Sequence, residues 1–240
     1  MHRIISGILL SLFLITGLCL PAYAFAEDKL IIPLNDSSHN QFIINNDRVY
    51  ISTPALEKLL GSDIKWIDRD NYKGLILSKN QTNLVFIMDN NYFLVKHGNF
   101  YSALEQMDIQ PILINEQTYL PVKYVLEGLG YQLNYDLAHQ QIEAHWTGTF
   151  IKEGYTIPVQ NSLSQINFYP ADLDIELIFE TNSQNLEQQL NDINTILSSK
   201  LDNQLTTPIL NSIKLDNSYI NNSKFSIYPS NGQTYIRLWK

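Results

Sequence analysis

The chain states one pattern twice, and that doubling limits what it can fold into. Tyr50-Ile51-Ser52 runs into Leu56-Glu57-Lys58-Leu59-Leu60-Gly61 and then Ile64-Lys65-Trp66. Tyr119-Leu120-Pro121 runs into Leu126-Glu127-Gly128-Leu129-Gly130 and then Leu133-Asn134-Tyr135. The copies stand 69 positions apart, with Tyr50 over Tyr119, Gly61 over Gly130, Ile64 over Leu133 and Trp66 over Tyr135. Each copy reads strand, short helix, strand. The matched positions hold no catalytic residue type, so the repeat reads as a binding or architectural module.

Local signals around each copy agree with this. Asn45-Asn46 and Asn115-Glu116 suit tight turns between apolar runs of strand length. Thr53-Pro54 and Pro121 open the two helices, because a proline's missing N–H costs nothing in the first turn. Gly61 stops the first helix in a left-handed conformation. Asn83–Met88 and Tyr92–Lys96 form a further hairpin around Asp89-Asn90-Asn91, and Gln132–Tyr135 pairs with Gln141–Trp146. The expected fold class is α+β, an antiparallel sheet with short helices laid against it.

The pattern changes from Gly148 onward. Ser164–Tyr169 and Asp174–Glu180 read as strands. Asn182 to Leu201 carries Leu186, Leu190, Ile193, Leu197 and Leu201 at steps of three and four, predicting an amphipathic helix of about five turns. Thr207-Pro208 opens a short second helix through Lys214. Lys224–Tyr228 and Thr234–Leu238 flank Asn231-Gly232, which fits a type I′ hairpin turn. The expected organisation is a removable leader over 1–26, a first unit over 29–147 and a smaller α+β unit over 150–240.

The leader rests on His2-Arg3, the apolar run Ile4–Leu20 and the small residues of Ala22-Tyr23-Ala24-Phe25-Ala26, with cleavage expected after Ala24 or Ala26. Cys19 follows Leu18, not the small residue a lipid-modified cysteine wants, and it is the sole cysteine. Its loss with the leader leaves no disulfide, thiolate metal site or cysteine nucleophile. No other apolar run reaches the ~18 residues a spanning helix needs. With 16 basic against 24 acidic residues the net charge is −8, and Arg3 departs with the leader. The absence of any Lys/Arg cluster argues against nucleic acid or an anionic membrane as partners. The expected location is secreted or extracytoplasmic.

The second copy with its lead-in, Met107-Asp108-Ile109-Gln110-Pro111-Ile112-Leu113-Ile114-Asn115 and Thr118-Tyr119-Leu120-Pro121-Val122-Lys123, resembles the copper amine oxidase N-terminal-like domain, or stalk domain, over about residues 30–146. The resemblance implies a twisted antiparallel sheet around a helix and an exported protein of a Gram-positive bacterium. Lys123 stands where the family usually has Arg, Glu116-Gln117 replaces a Gly-Arg pair, and Ser52 replaces the first copy's proline. In the family's founding enzyme the oxidase chemistry lies in a separate domain, in a tyrosine converted to a quinone beside a copper held by three histidines. Asn134-Tyr135-Asp136 matches that tyrosine's context only superficially. Tyr131 replaces the expected threonine and no His-x-His pair exists. Tyr135 is therefore read as a packed aromatic at a strand end.

The remaining candidates are His139, Glu143 and His145 as a metal set, with Glu143 and His145 on one strand face. Asp172, Asp174 and Glu176 alternate so as to gather three carboxylates on one face, the arrangement that hydrolyses glycosides or binds Ca²⁺. Both are read as solvated strand faces, so no catalytic, cofactor or metal residue is assigned and no cofactor is expected. His39 and His97 fall in expected loops. Tyr92, Tyr101, Tyr155, Tyr169, Tyr228 and Tyr235 are candidates for a glycan- or peptide-binding face. The functional expectation is a non-enzymatic envelope or extracellular protein with a stalk-type module, its partner a cell-wall polymer or another envelope protein. The alternative is an enzyme or enzyme inhibitor whose activity lies in 150–240, with the stalk as tether.

Overall fold

The computed structural model describes residues 29–34, 41–69, 72–136, 138–169, 171–214 and 219–240. The expected leader, Cys19 and His39 lie outside these residues.

The doubling is structural as well as sequential. The first copy is β2 (Phe42–Asn45), β3 (Arg48–Ser52), α1 (Thr53–Leu60), β4 (Asp63–Arg69) and β5 (Tyr72–Lys79). The second is β9 (Ile112–Ile114), β10 (Gln117–Pro121), α2 (Val122–Gly128), β11 (Tyr131–Asp136) and β12 (Gln141–Trp146). The central strands β3 and β10 pair antiparallel with Ser52 opposite Tyr119, Ile51 opposite Leu120 and Tyr50 opposite Pro121. Ile51 and Leu120 are themselves equivalent under the 69-residue offset, so a pseudo-twofold axis passes between them. Both are essentially inaccessible, which places the axis in the core.

Each copy hands its outer strands to a different sheet. β4 and β5 continue into β6 (Thr82–Ile87), β7 (Tyr92–His97) and β8 (Tyr101–Gln106), giving the order β4-β5-β6-β7-β8. β11 and β12 instead take β1 (Lys29–Pro33) as their third strand, with Ile32 opposite Ile142. One apolar cluster fills the space between the sheets and helices; Leu56, Leu75, Leu84, Phe86, Leu120 and Leu126 are among its most buried members.

The turns follow backbone chemistry closely. Asn115-Glu116 has positive φ at both residues, as expected, whereas the first copy's turn falls on Asn46-Asp47, one residue later than Asn45-Asn46. Gly61 closes α1 with φ +59°, its N–H bonded to the Glu57 carbonyl at 2.9 Å. Lys79 adds a side-chain bond to the Leu60 carbonyl. The repeat equivalent of Gly61, Gly130, has φ +88° but a tighter setting. A Cβ there would stand 3.0 Å from Val159 Cγ1 and 3.4 Å from the Thr149 nitrogen, whereas one at Gly61 meets open space. Gly61→Ala is expected to lower stability by about 1 kcal/mol from left-handed strain alone. Gly130→Ala should cost about twice that, and urea midpoints of the two variants check the order.

The second part of the chain builds a sheet in the order β15-β16-β19-β18-β17, from β15 (Gln165–Asn167), β16 (Leu173–Glu180), β17 (Ile220–Asn221), β18 (Phe225–Ser230) and β19 (Gln233–Trp239). Asn231 and Gly232 have φ of 52° and 78°, and Ser230 pairs with Gln233, the expected two-residue hairpin. The amphipathic helix is shorter than its apolar stripe: α3 covers Leu186–Ser198, not 182–201. The Ser183 hydroxyl accepts the Asn185 N–H before the helix, and the Ser199 hydroxyl turns back on the Ile196 carbonyl at its end. Local side-chain bonds of this kind compete with helix propagation. Helix α4 spans Asn203–Lys214 with Pro208 inside it, so Thr207-Pro208 is not its opening. The start is fixed by Asp202, whose carboxylate accepts the Leu205 N–H at 3.1 Å.

Between the two parts lies a hairpin that the sequence reading missed, β13 (Thr149–Lys152) and β14 (Tyr155–Pro158), turned by Glu153 and Gly154 at positive φ. A second apolar cluster runs through Tyr155, Ile157, Ile175, Leu177, Phe179, Ile193, Ile196 and Leu197. It also contains Phe100 and Tyr101, from the tip of the β7–β8 hairpin. The Phe100 carbonyl accepts the Ile166 N–H at 2.8 Å, tying that tip to β15. No helix among the described residues is long and apolar enough to cross a membrane.

Candidate functional site

The insertion of the β7–β8 tip creates a cavity where the repeat meets the following segment. Its volume is about 510 Å³. One wall is the sheet face of β7 and β8, the second is α2 with the start of β11, and the third is the β13–β14 hairpin. Strand alternation decides what each wall presents. His97, Tyr101 and Glu105 reach the cavity from β7 and β8, Phe150 and Lys152 from β13, and Glu127 and Tyr131 from α2 and β11.

The hairpin is pinned to the first sheet by charge and by stacking. Lys152 Nζ lies 2.9 and 3.0 Å from the Glu105 carboxylate oxygens. The Phe150 ring stacks on His97 at 4.3 Å between centroids and lies 4.8 Å from Tyr101. The Tyr101 hydroxyl donates to Glu105, and burial together with that carboxylate pushes its pKa well up. Tyr124 is positioned from below: its hydroxyl donates to Asp108 Oδ1 at 2.7 Å and accepts the Asp108 N–H, while Arg48 holds the other carboxylate oxygen.

Three polar groups of the cavity are left without a hydrogen-bond partner among the described residues. His97 is completely buried at the end of β7, correcting its expected place in a loop. Its Nδ1 lies 2.9 Å from the Thr82 hydroxyl, and its Nε2 has no partner. Desolvation lowers its pKa to about 4, so the ring is neutral at physiological pH. Tyr131 is 4% exposed, and its hydroxyl makes no bond. The Glu127 side chain reaches solvent at the cavity, yet desolvation raises its pKa, with Lys123 partly opposing. Buried polar atoms are nearly always satisfied, so the unmet His97 Nε2, with the free Tyr131 and Glu127 oxygens in the same hollow, marks a place where a ligand or water completes it.

The residues singled out from sequence are dispersed elsewhere. His139 Nδ1 stands 2.6 Å from Asp136, while His145 lies 3.9 Å from Glu143, whose carboxylate takes Lys29 at 2.9 Å. The three expected carboxylates do not share a face. Asp172 precedes β16, and a bulge between Leu173 and Ile175 removes Asp174 from the ladder. Asp174 then receives Lys200 at 2.7 Å and the Tyr155 hydroxyl at 2.8 Å. Glu176, 3% exposed, receives Arg237 Nε at 2.6 Å together with Asn167 and the Tyr169 hydroxyl, and these bonds outweigh its burial and lower its pKa.

The six tyrosines do not form one face: Tyr169, Tyr228 and Tyr235 gather around the Glu176–Arg237 pair, and the others lie apart. Tyr155 is fully buried, Tyr101 lines the cavity, and Tyr228 and Tyr235 stack on each other at 4.8 Å. Tyr92 borders a separate, open hollow with Asp89, Asp108 and Gln110. Tyr135 is 50% exposed, not packed, and its repeat equivalent Trp66 is 58% exposed.

The pseudo-twofold pair of β–β–α–β–β units is a β-rich module of stalk-like architecture. Residues 34–144 match the family model described as Copper amine oxidase N-terminal domain. That span covers the repeat as far as Ala144 in β12 and stops short of the β13–β14 hairpin. Neither the curated proteins nor the solved structures give a significant match to the chain.

Proposed function

We propose that the protein is exported and works in the cell envelope or outside the cell as a non-enzymatic binding protein. In this reading the stalk-type repeat is the scaffold, and the segment from 150 to 240 completes a recognition site on it. The observation that carries the reading is the cavity itself: concave, ring-lined, close to the size usual for a bound small molecule or one segment of a polymer, and holding the unmet His97 Nε2. The compartment is supported by the sequence of residues 1–26; the absence of basic clusters sets nucleic acid aside, and the compartment itself points to a wall polymer or another envelope protein as partner.

The test is retention of the mature chain on purified, insoluble cell-wall material from Gram-positive bacteria, with a wall-free matrix as control. Wild-type protein is expected to be retained, and Phe150→Ser, which removes a ring from the cavity wall, to be retained less. Equal loss of both to the flow-through would remove the envelope-binding reading.

A further inference from the structure

We infer that the cavity at the junction is a saccharide site, sized for one or two sugar rings; this deepens the binding reading above and rests on it. The free polar groups decide the ligand class. Glu127 offers an acceptor, Tyr131 a hydroxyl that can donate or accept, and Gln132 an amide that does both. An ammonium group brings no acceptor, and would leave the Tyr131 proton unmet. An anion brings only acceptors and would face Glu127 directly. A sugar hydroxyl is donor and acceptor at once, so it can meet every one of these groups.

Apart from the Glu127 carboxylate, the charges at the cavity cancel. Glu105 and Lys152 neutralise each other across the cavity wall, and His97 carries no charge at physiological pH. The rings supply the other half of the recognition. Phe150 and Tyr124, the partly exposed rings of the cavity, give apolar area of the kind that lies against the C–H face of a pyranose, at low entropic cost because each ring has only two side-chain torsions. A volume of about 510 Å³ accommodates a disaccharide and excludes a folded partner.

The experiment is calorimetric titration of the mature chain with cellobiose, maltose and diacetylchitobiose, and with choline and inorganic phosphate as charged probes. At least one disaccharide is expected to bind with Kd of roughly 0.1–1 mM. Tyr131→Phe keeps the ring and removes the oxygen; Glu127→Gln keeps the shape and removes the charge. Each should weaken that binding about five- to tenfold, consistent with loss of one hydrogen bond of about 1–1.4 kcal/mol, with melting temperature unchanged. No disaccharide binding at about 10 mM, binding of choline or phosphate alone, or saccharide binding indifferent to both variants would overturn the inference. Retention on wall material without binding of soluble sugars sinks this inference but leaves the envelope-binding reading standing; loss of both sinks both.

Discussion

Phe100→Ala is expected to lower the unfolding free energy by about 3–4 kcal/mol, the usual cost of deleting a buried ring. Phe100 is 4% exposed and belongs to the second apolar cluster although its strands belong to the first sheet. Its ring also faces His97 at 6.4 Å. Truncation therefore opens a cavity beside β15 in the second cluster and loosens the tip that forms one wall of the candidate site. Urea unfolding followed by circular dichroism checks the magnitude. Phe100→Leu, which keeps most of the apolar volume, should lose less than half as much. A loss below about 1 kcal/mol for the alanine variant would mean that the tip is not a structural joint.

His97 sets the second large effect, and its sign follows from linkage. Its folded pKa of about 4 lies below the ordinary value near 6.5, because burial penalises the imidazolium. Between those values the unfolded chain takes up a proton that the folded chain refuses, so stability falls as pH falls. From pH 7.5 to pH 5 the loss from this residue is about 2 kcal/mol. The comparison is with the double variant Thr82→Val/His97→Phe, which keeps ring volume and removes both members of the buried Nδ1–hydroxyl contact. Wild type should lose about 2 kcal/mol more than the double variant over that interval; parallel losses would show that His97 already titrates normally in the folded protein.

Much of the fold is legible in the sequence because local chemistry and tertiary demand agree there. The 69-residue offset, the Asn115-Glu116 and Asn231-Gly232 turns and the left-handed Gly61 each specify a backbone state that no neighbour overrules. The failures have a different character. The β13–β14 hairpin carries only Glu153-Gly154 as a turn signal between short, mixed strands, and that dipeptide was the available clue. A single bulge at Asp174 undoes a face inferred from strict alternation, since one extra residue re-aims the side chain. The ends of α3 are decided by serine hydroxyls, against a leucine stripe that continues past them.

The candidate site was the least legible part, for a physical reason. Its residues come from β7, β8, α2, β11 and β13, and they converge only because Phe100 and Tyr101 cross into the second cluster. Long-range packing of that sort leaves no spacing in the sequence. Tyr101 and the repeat's Glu127 were visible as residues, but nothing adjacent to either announces a shared cavity. His97 was expected in a loop, yet it is the last residue of β7, and the turn begins at Gly98.

The most direct measurement of the central claim is amide hydrogen exchange on the mature chain, with and without a saturating wall fragment that retains it. The account predicts added protection in 97–106, 124–133 and 147–156, the three walls of the cavity, and none around Trp66, Tyr135 or the Tyr228–Tyr235 pair. Protection confined to those exposed aromatics, with the cavity walls unchanged, would contradict it.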